Sequence, residues 1–503
     1  QPDEAGHFQN TSQDVSAALM ENDEAVERLM SGLQSLGLLD CVNVLIVSDH
    51  GMSLLRNRIF WDEYIPLQNL VAVYGVVGRI YHNSSSGSDS SVTAPFSCKG
   101  GSDYRLYSRG TIPLRYHYSA LPRIGDFIFE GRPGTTFYAT KGDAFYMAGD
   151  HGYDPTESEM RTVFFARGPS IRSRLLLAPF QNIEYFHIFE TLLGMPHSMT
   201  TNGTIGVADE MFVRKPTRPS VSVPIQRCPS SSLFACDSLC NRRDPWQLAR
   251  LTNRVAACTS FLSTASPISS LSQHPSALFC LHHLCDTLLI RGLPHGIRVV
   301  HEPVTSASLL PPTKQICAFG LLPGDCESIR ISASLGDSID FHGLLVSQNS
   351  DFTGALQWRV PLSSSFVRTF LTPLTSLISS YTARFGRLLV ISGTAYDHDH
   401  DGIADAAPSA LPSHIFRIII SCPTWRGDGL GCFTPSETRV LPFVLPHTQR
   451  DLNCLNASDL LFAYTSRVAD IEVLTGLHFF SDSAVVPEEI ARRLRTFVAP
   501  SLW

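Results

Sequence analysis

Five side chains in three short segments have the types and spacing of a metal centre. Asp3 and His7 stand four apart in Gln1-Pro2-Asp3-Glu4-Ala5-Gly6-His7, so on a helical turn both lie on one face and can share a cation. Asp49 and His50 follow the apolar run at 42–47. His151 follows another at 144–148, in a second Asp-His-Gly turn, Asp150-His151-Gly152. Carboxylate with neutral imidazole suits zinc, which accepts mixed oxygen and nitrogen donors. One Asp-His pair after a strand can equally be a cap or a hydrogen-bonded turn. The repeated turn together with Asp-x-x-x-His is what favours a metal. A different donor set lies at 397–405, where Asp397, Asp399 and Asp401 alternate ahead of Gly402 and Asp405. Acidic oxygens at alternate places with a glycine at the sharp turn describe an EF-hand-like calcium loop, Ile403 giving its backbone carbonyl. The last acid comes at the ninth place instead of the twelfth. The interleaved His398 and His400 would point away from the aspartates in an extended loop.

The elements that must position these groups follow from periodicity. Apolar residues at Val15, Leu19, Val26, Leu29, Met30, Leu33 and Leu36 predict a helix over 14–36, capped by Ser12 or Asp14 and stopped at Gly37. The β-branched run at 42–47 predicts a buried strand, and helix followed by strand reads as one unit of a parallel α/β sheet whose carboxyl ends form the binding crevice. Strands are further expected at 162–166, 338–346, 387–392 and 414–421, and helices at 183–194, near 456–476 and at 487–497.

The chain has 503 residues, 44% hydrophobic and 17% charged, which excludes a disordered or coiled-coil protein. Lysine and arginine number 39 against 46 acids, a net charge of −7, without the basic excess of a dedicated nucleic-acid binder. No apolar run is long enough to span a membrane. The chain opens at Gln1 with no charged-then-apolar leader, so a signal or anchor is expected outside it and the chain is read as a fragment. Of 13 cysteines, all but Cys41 and Cys98 lie after residue 225, with no zinc-finger spacing. With sequons at Asn10, Asn83, Asn202 and Asn456, this points to an oxidising, extracellular or lumenal setting. The odd count leaves a free thiol, and Cys41, within the apolar run leading to Asp49, is the expected buried one. Prolines and serines at 212–240 read as a linker between a domain over 1–211 and another over 241–503.

Residues 1–206 resemble the ectonucleotide pyrophosphatase/phosphodiesterase family of the alkaline phosphatase superfamily. The matching segments are Pro2-Asp3-Glu4-Ala5-Gly6-His7, Asn43-Val44-Leu45-Ile46-Val47-Ser48-Asp49-His50-Gly51-Met52, and Gly149-Asp150-His151-Gly152-Tyr153-Asp154. Ala166-Arg167-Gly168-Pro169, Gln181-Asn182-Ile183-Glu184 and Asn202-Gly203-Thr204 also fit. The resemblance implies the latter part of a parallel-sheet phosphodiesterase domain and a two-zinc site. Asp3, His7 and His151 would hold one zinc, and Asp49 and His50 would contribute to the other. It places the remaining aspartate and the nucleophilic threonine on an earlier stretch of chain, so no catalytic nucleophile is named here and the chain by itself is expected to be inactive. The implied activity is hydrolysis of nucleotide or related phosphodiesters. Tyr153 could line the pocket or simply pack, and His117 could contact substrate or be structural.

The second half resembles the α+β nuclease-like domain that follows in one branch of the family, through Val390-Ile391-Ser392-Gly393, Phe443-Val444-Leu445-Pro446-His447 and Arg467-Val468-Ala469-Asp470-Ile471-Glu472. The Asp-Arg-Gly-His motif of true nucleases is missing, so a non-catalytic scaffold with at most weak nucleic-acid binding is expected. The resemblance also implies a Cys98–Cys454 bridge tying the domains together and a local Cys422–Cys432 bridge. It leaves Asn57 and Ala144 where another cysteine pair would stand. The alternative function is an inactive homologue or fragment acting as a metal- or nucleic-acid-binding module. A monomer is expected.

Overall fold

The structure, a computed structural model, describes residues 2–8, 12–82, 89–195, 201–216, 277–282, 287–292, 298–305, 341–343, 359–403, 405, 411–425, 432–448, 451–476, 479–480 and 486–503. The expected glycosylation sites Asn10 and Asn83 and most of the expected linker lie outside these. The chain divides into two units. The first comprises Gln1–Ile112, Leu121–Ser220 and Leu452–Leu455, and the second Pro113–Ala120, Val221–Asp451 and Asn456–Trp503.

The first unit opens with helix α1 (Pro2–Phe8), with a proline at its start and Asp3 and Glu4 in its first turn, where acids complement the helix dipole. Helix α2 (Ser12–Ser35) matches the periodicity, and Gly37, at φ +68°, turns the chain beyond it. Strand β1 (Val44–Val47) pairs with β10 (Phe164–Arg167) in antiparallel register, Val44 opposite Arg167 and Val47 opposite Phe164. This departs from the parallel pairing expected for the first domain. A run of β-branched residues reports burial but carries no strand direction, and β1 is half-buried with Val47 exposed. Among the described residues the parallel pair is β3 (Asn57–Phe60) with β8 (Thr135–Tyr138), so the sheets are mixed. Two-residue strands β2 (Ser53–Leu54) and β9 (Gly149–Asp150) pair antiparallel.

A four-stranded antiparallel sheet runs β4 (Leu70–Val73), β5 (Val77–His82), β7 (Phe127–Gly131), β6 (Tyr104–Ser108). Its core is aromatic, with Trp61, Phe96, Phe129 and Phe137 fully buried among Ile80 and Leu106. The distant segment 452–455 is sewn to this unit. Cys454 is bonded to Cys98, Leu452 O accepts from Cys98 N at 2.8 Å, and Leu452 packs on the aromatic core. The Asn453 side chain takes Leu106 N at 2.7 Å and donates to Leu106 O at 3.0 Å, closing the free edge of β6 in place of a strand. Both partners of this bridge therefore lie in one unit. Helix α3 (Tyr185–Leu193), stopped by Gly194, packs Ile188 against Ile171, Met211 and Phe212.

The second unit is built on a six-stranded antiparallel sheet in the order β11 (Ala277–His282), β12 (Thr287–Gly292), β13 (Arg298–Thr305), β16 (Arg387–Ala395), β17 (His414–Ser421), β18 (Arg439–Pro446). Strands β14 (Phe341–Gly343) and β15 (Arg359–Pro361) form a separate pair. Of the strand expected at 338–346, only β14 falls within the described residues. The single helix expected near 456–476 is two, Ala457–Ala463 and Val468–Thr475, because the Asp470 carboxylate accepts the Arg467 backbone N–H and starts a new helix there. The Cys422–Cys432 bridge is present. Cys41 is exposed, contrary to the expectation of burial. It sits in the turn before β1, its thiol toward Gly37 O, and the apolar run begins only after it.

Candidate metal centre

Three backbone strips frame the centre. Ala148 N donates to His7 O at 2.7 Å, Leu55 N donates to Ala148 O at 2.8 Å, and Ser53 lies opposite Asp150 in the β2–β9 pair. The end of α1 and both Asp-His-Gly turns are thus tied together by main chain alone. Such close approach admits only glycine at two places. A Cβ on Gly149 would come 2.5 Å from Gly6 O, and one on Gly51 would come 1.9 Å from Glu159 O.

Within this frame Asp3 Oδ1 is the hub. It lies 3.7 Å from His7 Nε2, 3.8 Å from His50 Nε2 and 3.9 Å from His151 Nε2. These separations are too long for hydrogen bonds, yet a cation bonded to each donor at about 2.0–2.1 Å would span them. The His50 and His151 rings stack at 3.5 Å, 11° from parallel, and His7 is 5.1 Å from His151. The ring tautomers follow from the outer bonds. His7 Nδ1 donates to Gly149 O and His50 Nδ1 to Gly51 O, both at 2.9 Å, which turns each Nε2 toward Asp3. Burial and the neighbouring His50 ring push the His151 imidazole below its ordinary range, favouring its neutral, ligating form. The donor chemistry therefore fits a borderline divalent cation. Asp49 stands at the rim, its carboxylate 86% exposed, with Oδ2 3.6 Å from His50 Nε2 and Oδ1 accepting the His50 N–H.

The structure thus brings Asp3, His7, His50 and His151 together, with Asp49 beside them. Sequence reasoning missed Asp150, whose carboxylate lies within 4.8 Å of donor atoms of His7 and His151. The signal was present, since Asp150 precedes His151 as Asp49 precedes His50. It also missed Asn182, which holds the first turn by donating to Asp49 O at 3.2 Å. Tyr153 is buried against Val76 and Met160 and so packs beneath the second turn.

In the second unit, Asp397, Asp399 and Asp405 bring carboxylate oxygens within 4.8 Å of one another. Asp397 receives Asp401 N at 3.0 Å and Gly402 N at 3.1 Å, which folds the loop over its side chain. Burial, working against the Gly402 N–H, pushes the Asp397 carboxyl up to about 7, with Asp399 and Asp401 adding to it. Asp401 turns its own carboxylate to Ile403 N at 2.8 Å. His117 bonds Asp470 at 2.8 Å within the same unit, a structural tie. The sequon residues Asn202 and Asn456 are exposed, Asn456 as the N-cap of its helix.

Residues 1–154 match the family model described as type I phosphodiesterase / nucleotide pyrophosphatase. An ectonucleotide pyrophosphatase/phosphodiesterase of Caenorhabditis elegans is 33% identical over 95% of this chain and 56% of its own length. A second from the same organism is 30% identical over 100% of this chain and 68% of its own. Ectonucleotide pyrophosphatase/phosphodiesterase family member 3 of Rattus norvegicus is 25% identical over 99% and 62%. The chain therefore spans a little over half to two thirds of the length of these relatives.

Proposed function

The chain belongs to the ectonucleotide pyrophosphatase/phosphodiesterase family, and from that premise we propose that it serves zinc-dependent hydrolysis of nucleotide pyrophosphate and phosphodiester bonds, outside the cell or at its surface. The observation that carries this reading is the convergence of three imidazole nitrogens on one carboxylate oxygen. Asp3, His7 and His151 would hold one zinc, and Asp49 with His50 would contribute to a second. A zinc pair, when bound, supplies the charge that stabilises attacking and leaving oxygens in an in-line displacement. The residues' own part is to fix position and protonation. The Nδ1–carbonyl bonds orient the His7 and His50 rings with Nε2 toward Asp3, and the main-chain bridges keep the three segments in register.

The gathered side chains are carboxylates and imidazoles, and none offers a hydroxyl for attack. On this reading the 503-residue chain alone binds about one zinc tightly and does not turn substrate over, and the same observation favours a non-catalytic binding module as the second reading. Titration against a chromophoric chelator, alongside hydrolysis of a p-nitrophenyl nucleotide ester, tests both. A chain that binds zinc no better than its His7→Ala/His151→Ala variant overturns the metal assignment. Rapid zinc-dependent turnover would instead overturn the inactivity of the isolated chain.

The second half is proposed as a nuclease-like scaffold without a catalytic site, binding calcium through Asp397, Asp399, Asp401, Asp405 and the Ile403 carbonyl. The cluster of three carboxylates around a buried Asp397 supports it, since a cation offsets their mutual repulsion. Calcium is expected to raise the thermal midpoint, by the equivalent of about 2.7 kcal/mol at a hundred times its dissociation constant. Asp397→Asn should abolish that rise. Melting curves that coincide in calcium and in chelator would refute the site. Disulfides within each unit suit an oxidising compartment.

A further inference from the structure

We propose that Asp150 is a metal-binding carboxylate of the centre, its oxygen gathered with donor atoms of His7 and His151 and so joining the zinc assigned above to Asp3, His7 and His151. This rests on the zinc reading above and deepens it. In each Asp-His-Gly turn the aspartate Oδ1 accepts the next residue's N–H, at 3.1 Å for Asp49 and 2.8 Å for Asp150. Their surroundings differ. Asp49 reaches out to solvent beside one imidazole, whereas Asp150 is half-buried, held opposite Ser53, and gathers with two. One accepted N–H leaves most of a carboxylate's lone pairs available, so capping and ligation are compatible. His7 is fixed toward this side by its bond to Gly149 O, the residue immediately before Asp150. The carboxylate thus stands beside the His7 and His151 rings, on the strip of chain that sets their positions.

Asp150→Asn separates ligation from capping, because the amide oxygen can still accept the His151 N–H while the charge and the anionic donor are gone. In the full chain, zinc affinity by chelator competition is expected to fall at least about ten-fold. The visible spectrum of the cobalt-loaded protein should change its band pattern, while the metal-free melting curve stays that of the parent chain. Unchanged affinity and an unchanged cobalt spectrum overturn the proposal. Weaker binding with an unaltered cobalt spectrum also overturns it, since the effect would then be electrostatic and not ligation. If the parent chain binds no zinc or cobalt, the reading of the whole centre fails. If the parent binds and His151→Ala abolishes binding while Asp150→Asn leaves both affinity and cobalt spectrum unchanged, only the role of Asp150 fails.

Discussion

His151→Ala is expected to cost the chain its zinc binding almost entirely, more than any other single change at the centre. His151 belongs with Asp3 and His7 to one zinc and also gathers with Asp150, and it lies against Asp3, His7 and His50 at once. Its removal leaves Asp3 and His7 of that assigned set, below the three protein donors of a zinc site. Because burial and His50 already hold the ring neutral, the parent protein has little proton to displace when metal binds, and this advantage is lost with the ring. The affinity loss should exceed the roughly ten- to hundred-fold typical of outer-shell changes. Asp49→Ala, at an exposed carboxylate, should cost less. Chelator competition gives both numbers, and equal losses would mean that the centre is organised around the rim and not around His151. The fold should survive, since the side chain is 31% exposed and the frame is made by backbone hydrogen bonds.

What the sequence revealed of this centre came from spacing. Asp3 and His7 share a face of α1 because helical geometry leaves no alternative, and the repeated Asp-His-Gly turn drew attention to His50 and His151. Asp150 stands before His151 as Asp49 stands before His50, so the same pattern points to it. The direction of β1 could not be read, since side-chain alternation and β-branching are alike in parallel and antiparallel strands. Cys41 is exposed because it belongs to the turn that follows Gly37, and the strand's apolar residues begin only after it. The break between the helices Ala457–Ala463 and Val468–Thr475 is a side-chain effect, in which Asp470 competes for a backbone N–H that a continuous helix would have bonded internally. The Cys98–Cys454 bridge spans 356 residues, beyond any local signal, and entered through family resemblance.

Asp470→Asn should be the most destabilising single substitution in the second unit. The carboxylate is almost wholly buried and accepts from Ser466 Oγ, from the Arg467 backbone and guanidinium, and from His117. Burial by itself would raise this group, but the His117 hydrogen bond and the Arg467 charge outweigh it and hold the carboxyl down at about 2. An amide in its place leaves the buried Arg467 guanidinium without a counter-charge, a loss of about 3–5 kcal/mol. Adding Arg467→Met should recover much of it, because removing both charges removes the desolvation cost with them. The pH dependence carries the sign. A carboxyl at about 2 in the fold, against its ordinary value of 3.8, stabilises fully above that value and loses its contribution as pH falls through about 2. Such a shift is worth roughly 2 kcal/mol. The parent chain should therefore lose stability between pH 4 and 2 more steeply than Asp470→Asn, as followed by denaturant midpoints. Parallel acid limbs would mean that the carboxylate is not ionised in the fold, and the buried pair would then have to be redrawn as neutral hydrogen bonds.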